Sequence, residues 1–144
     1  MNIAPCITNS LHYENVGYDI NLDLKTNLTF INDKSGTGKT FLYEIIDEQS
    51  SDNPNIICIN YKNKKNYIAG ELLEELKKSK GNLYVIDNAD IILDDDTRKH
   101  IAFDTNNQYI IIGRILKNLM LSAHNCASVK IDNKAKRITL EYEG

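Results

Sequence analysis

The chain has 144 residues, 42 % of them hydrophobic and 26 % charged, with a formal net charge of −3. That length suits one domain with a real core and leaves no room for a second large one. The mild acidity (pI about 5.6) argues against a strong field drawing the protein to nucleic acid. The apolar runs are far too short for a membrane span. The three cysteines, Cys6, Cys58 and Cys126, are scattered and odd in number, as expected of structural thiols in a reducing, cytoplasmic setting. Residues 1–10 lack the basic start and long apolar stretch of a signal peptide.

Along the chain, residues 16–24 alternate, with Val16, Tyr18, Ile20, Leu22 and Leu24 on one face and Asp19, Asn21 and Asp23 on the other. This predicts a half-buried antiparallel strand. Residues 27–31 form a continuous apolar run, the pattern of a strand inside a sheet. It leads directly into Asp33-Lys-Ser-Gly-Thr-Gly-Lys-Thr40 and then an amphipathic helix from Phe41 to about Glu48. Strand, glycine turn, Lys-Thr and helix are the context a phosphate-binding loop requires. Gly36 and Gly38 let the backbone come close to phosphate oxygens. The N–H groups from Ser35 through Phe41, Thr37 included, cluster where a helix dipole favours an anion. Lys39 is expected to reach the β- and γ-phosphates, and the Thr40 hydroxyl to hold Mg²⁺. The pattern G-x-x-x-x-G-K-[ST] departs from expectation once, with Asp33 in place of its first glycine.

Residues 55–59 read as a second buried strand, and Tyr61–Asn66 as a loop rich in lysine and asparagine. With Tyr61 and Tyr67, Lys62, Lys64 and Lys65 form a small basic–aromatic cluster able to touch a nucleic-acid backbone, though a solvated loop explains it more simply. Glu71–Lys80 predicts a helix with Leu72, Leu73 and Leu76 inward, stopped by Gly81. Leu83–Ile86 is an apolar strand ending in Asp87, an acid placed to bind Mg²⁺. Asn88 follows and cannot serve as a proton acceptor, although its amide can orient a water. Asp90 is therefore the candidate base. Asp94–Asp96 should cap a helix running to about Asp104. Tyr109–Ile112 is a strand that opens at Gly113-Arg114, and Arg114 is a candidate sensor of the γ-phosphate. Residues 127–131 and 137–142 flank Asp132-Asn133 as a terminal hairpin. Tyr13 is a candidate for stacking on a base. The histidines have no ligand-like spacing.

Alternating strands and helices imply an α/β fold with a mostly parallel sheet, to which the chain ends add antiparallel strands. With Lys39, Thr40 and Asp87 placed, the chain resembles the P-loop NTPase superfamily. Ile86-Asp-Asn-Ala-Asp90 looks like the Walker B region of AAA-type ATPases. The antiparallel strand before the loop looks more like the heads of ABC-type and SMC-like ATPases. The resemblance implies a three-layer P-loop core over residues 1–144 that binds ATP with Mg²⁺ and usually hydrolyses it. It also implies Lys39, Asp90 and Arg114 in catalysis and Thr40 and Asp87 at the metal. The departures are the missing LSGGQ-like signature, the absence of room for a helical lid and Asn88 where a glutamate is expected. They leave three expectations: an ATPase that is slow or completed by a protein partner, a nucleotide-dependent switch, or a small-molecule phosphotransferase.

Overall fold

The computed structural model describes residues 3–32, 39–62 and 70–144, with the backbone alone at Lys39 and Thr40. Its eight strands form one curled, mixed sheet in the order β1-β2-β8-β7-β3-β6-β5-β4. The strands are β1 (Ser10–Asn15), β2 (Tyr18–Asp23), β3 (Leu28–Asn32), β4 (Ile56–Ile59), β5 (Leu83–Ile86), β6 (Gln108–Gly113), β7 (Cys126–Asp132) and β8 (Arg137–Tyr142). Four α-helices lie among the described residues: α1 (Lys39–Gln49), α2 (Glu71–Lys78), α3 (Ala89–Ile92) and α4 (Asp95–Phe103).

Five consecutive strands, β7-β3-β6-β5-β4, are mutually parallel. Their interior members carry the continuous apolar runs expected where both faces are covered, and every residue of β5 and β6 is buried. Alternation sorts these runs onto two faces. On one face Ile31, Val85, Ile110 and Ile112 pack under Leu42, Ile45 and Ile46 of α1. On the other, Phe30, Tyr84, Ile86, Tyr109 and Ile111 meet Leu72 and Leu76 of α2 and Ile101 of α4.

The sheet curls far enough for the β1–β2 hairpin to close over α1 as well. Leu11, Ile20 and Leu22 belong to the α1 cluster, and the Tyr13 hydroxyl lies 3.0 Å from Ser50 Oγ beyond the end of that helix. One expectation changes here. The alternating run from Val16 to Leu24 is not a single strand. Val16 and Gly17, with φ of 50° and 81°, form a two-residue turn between β1 and β2, and Val16 is 87 % exposed. Both central positions of such a turn take positive φ because that backbone twist matches the flanking strands. The antiparallel partner of β2 is therefore β1, a strand the alternation did not reveal. The other neighbour of β2 is β8, and that pairing is parallel.

Other boundaries move by a residue or two. Helix α2 ends at Lys78, where Ser79 turns extended. The turn between β7 and β8 spans 133–136, with Asp132 Oδ1 accepting the N–H groups of Lys134 and Ala135 at 3.0 Å each.

Candidate functional site

All five parallel strands end at one edge, and the loops leaving it carry the residues singled out from the sequence. Strand β3 pairs with β6 so that Asn32 faces Gly113, and β6 pairs with β5 so that Ile111 faces Ile86. Asp87, Asn88 and Arg114 follow directly. From β3 the chain goes through α1 to β4 at the far edge, whereas from β6 it crosses the other way to β7. Adjacent strands whose connections diverge leave a crevice at their carboxyl ends, the usual ligand position in open α/β sheets. Helix α1 begins at Lys39 on this edge, so the first-turn N–H groups of an 11-residue helix face it. Ser35, Gly36, Thr37 and Gly38 lie outside the described residues, as does Asp33. Phe41, in the first turn of α1, is 40 % exposed.

Asp87 is 8 % exposed. Its N–H donates to Ile59 O at 2.9 Å, and its Oδ1 accepts the Asn88 N–H at 2.8 Å. Asn88 is held in the left-handed region at φ 53°, where asparagine is far more at ease than glutamate. Its Oδ1 accepts the Tyr61 N–H at 3.0 Å, tying the end of β5 to the end of β4. The residue type at 88 thus has a conformational reason.

Asp90, expected as a base, has a different task. Its Oδ1 accepts the N–H groups of Arg114 at 3.0 Å and Ile115 at 2.9 Å, and its Oδ2 lies 3.1 Å from Arg114 N. Two backbone donors hold this carboxylate in place, so Asp90 clamps the chain leaving β6. Gly113 makes room for it, since a Cβ there would stand 2.8 Å from Asp90 Oδ1. The exposed Arg114 consequently leaves β6 from a fixed backbone at the crevice.

Behind the clamp lies Arg98, 2 % exposed. Its guanidinium donates to Leu93 O at 3.2 Å, Ala89 O at 3.1 Å and Ile115 O at 2.7 Å. It also lies 3.8 Å from Asp90 Oδ1. Burial pulls its pKa below the ordinary value, while Asp90 and Asp95 oppose that shift. The role of Arg98 escapes motif reading. One signal was available: Arg98 shares the inward stripe of α4 with Thr97, Ile101 and Ala102.

A cavity of about 350 Å³ opens beside Asp87, between Tyr43 and Glu44 of α1 and the chain leaving β4 at Asn60 and Tyr61. Glu44 had no motif to mark it. Tyr13, a candidate for base stacking, instead braces the hairpin against Ser50 at the opposite end of α1 from Lys39. Of the basic–aromatic cluster, Tyr61 is 54 % exposed, Lys62 is exposed at the cavity, and Lys64, Lys65 and Tyr67 lie outside the described residues. No helix among the described residues is long and apolar enough to cross a membrane. No protein-family model matches this sequence, and no curated protein matches it significantly.

Proposed function

We propose that the protein binds ATP with Mg²⁺ through the 33–40 loop, in a P-loop type of core, and hydrolyses it slowly or with the help of a protein partner. The observation that carries this reading is convergence. Lys39, Asp87 and Arg114 come from three separate segments that follow β3, β5 and β6 at one edge of the sheet. Lys39 and the first turn of α1 would take the phosphates. The Asp87 carboxylate, a hard oxygen donor lining the cavity, fits Mg²⁺, and with the Thr40 hydroxyl it would hold the ion. Bound there, the ion would neutralise charge on the phosphates. Arg114 would meet the γ-phosphate from the β6 side, its backbone steadied by Asp90 and, behind it, Arg98.

Dependence on a partner has its own support. Six of the nine large apolar side chains exposed among the described residues, Phe41, Tyr61, Ile91, Ile115, Leu116 and Met120, belong to segments that follow this edge. Such a rim suits a protein contact beside the nucleotide. The switch reading keeps one specific observation in its favour: Asn88 and Asp90, the polar residues that follow Asp87, both accept backbone hydrogen bonds.

Equilibrium binding of labelled ATP with Mg²⁺, with Lys39→Ala alongside, tests the proposal. Binding by the parent and a loss of tenfold or more in the variant are expected, in line with a charge-assisted contact of about 1.5–3 kcal/mol. Equal binding by both proteins would remove the phosphate-loop assignment.

A further inference from the structure

We infer that Glu44 is the general base that activates the attacking water, and that the cavity beside Asp87 is where that water stands. This rests on the nucleotide reading above and deepens it, because that reading leaves the proton acceptor unassigned.

A general base must be within reach of the nucleophile and hold a free acceptor at neutral pH. The cavity adjoins Asp87, the residue assigned to the metal, so its contents would lie against the γ-phosphate. At about 350 Å³ it accommodates a water, which needs only about 30 Å³ of liquid volume, together with the hydrogen-bonded neighbours that orient it. Among its lining groups, the amides of Asn60 and Asn88 accept no proton, and Lys62, Tyr43 and Tyr61 are of residue types that offer donors rather than a carboxylate acceptor. Asp90 is committed to the Arg114 and Ile115 N–H groups. Glu44 is the lining carboxylate that remains.

The position of Glu44 suits the task. It stands one turn beyond Thr40 in α1, and residues four apart share a helix face. Side chains on a helix lean toward its N-terminus, which in α1 is the end that begins at Lys39. In the step itself, Glu44 takes a proton from the water as its oxygen forms a bond to the γ-phosphorus. The bond from that phosphorus to the bridging oxygen breaks, and ADP leaves with the electron pair. Phosphate departs, and the proton on Glu44 is returned to solvent.

The test is a single-turnover reaction of γ-labelled ATP and Mg²⁺ with excess protein, parent against Glu44→Gln, with ATP affinity measured separately. Glu44 is exposed, so the amide should leave the fold intact, and a thermal melt checks this. The expected result is unchanged ATP affinity with cleavage slowed by roughly 10²–10⁴-fold, the usual contribution of a positioned base. Cleavage by the variant at the parental rate overturns the inference while leaving the nucleotide site standing. So does loss of ATP affinity in the variant, which would make Glu44 a binding residue. A parent that binds ATP but never cleaves it overturns the inference in favour of the switch. A parent that binds no ATP overturns the nucleotide reading itself.

Discussion

At residue scale, the edge of the sheet is organised by hydrogen bonds that take side chains out of chemistry. Asn88 shows this best. A glutamate after the acid of the β5 strand end would look like the repair of a missing base, yet the left-handed backbone and the Tyr61 contact both favour asparagine. Asn88→Glu should therefore destabilise the protein by about 1–2 kcal/mol, combining backbone strain with a lost hydrogen bond. No increase in ATP cleavage should accompany it. Urea denaturation and the single-turnover assay measure the two effects, and a stable variant with faster cleavage would contradict this account of position 88. Spacing and strand ends mark Lys39, Asp87 and Arg114 as candidates in the sequence. Motif reading could not see that Asp90 reaches the chain after β6, because that contact joins residues 24 apart.

At the scale of elements, α4 connects a sequence signal to the site. Asp94 caps it, its Oδ1 accepting the Thr97 N–H at 2.8 Å and the Thr97 hydroxyl at 2.6 Å. Those hydrogen bonds hold the Asp94 carboxyl below its ordinary pKa. Because the folded pKa is the depressed one, this contribution is present above the ordinary carboxylate range and is lost as pH falls through it. Asp94→Ala should cost about 1 kcal/mol at neutral pH, and less in acid. Denaturant midpoints at both pH values check this, and a cost independent of pH would refute it. Helix α4 also carries Arg98, so loosening the helix should reach the Asp90 clamp. The cap was readable from Asp94–Asp96. The short α3 was not, because four residues are too few to show a period.

At the scale of the whole molecule, the parallel strands and their two apolar faces supply most of the stability and bury groups that would otherwise ionise. Burial raises the Cys58 thiol to about 12 from an ordinary 9.0. The Tyr109 phenol is also held protonated, first by burial and then by its bond to Asp104. Both groups have raised folded pKa values, so the unfolded chain loses protons that the folded chain keeps once pH rises above the ordinary values. Stability should be level up to about pH 9 and fall steadily above it. Urea midpoints across this range test the prediction, and a flat profile above pH 10, the ordinary tyrosine value, would sink it. Thiol labelling at pH 8 should modify the exposed Cys6 before Cys58 or the buried Cys126.

By itself the sequence determined the strand–helix alternation, the buried character of β3, β5 and β6, the capped start of α4 and the position of Asp87 and Arg114 just beyond the ends of β5 and β6. These are local properties, written in the period of apolar residues and in short motifs. The tertiary structure alone decided that Val16-Gly17 turns the chain back, that β2 lies beside β8, and that Asp90 clamps Arg114 with Arg98 behind it. It alone opened a cavity between Glu44 and Asp87. The reason is physical: strand order, the curl of a sheet and the reach of a side chain depend on contacts between residues far apart in the chain, and neither periodicity nor spacing carries information about such contacts.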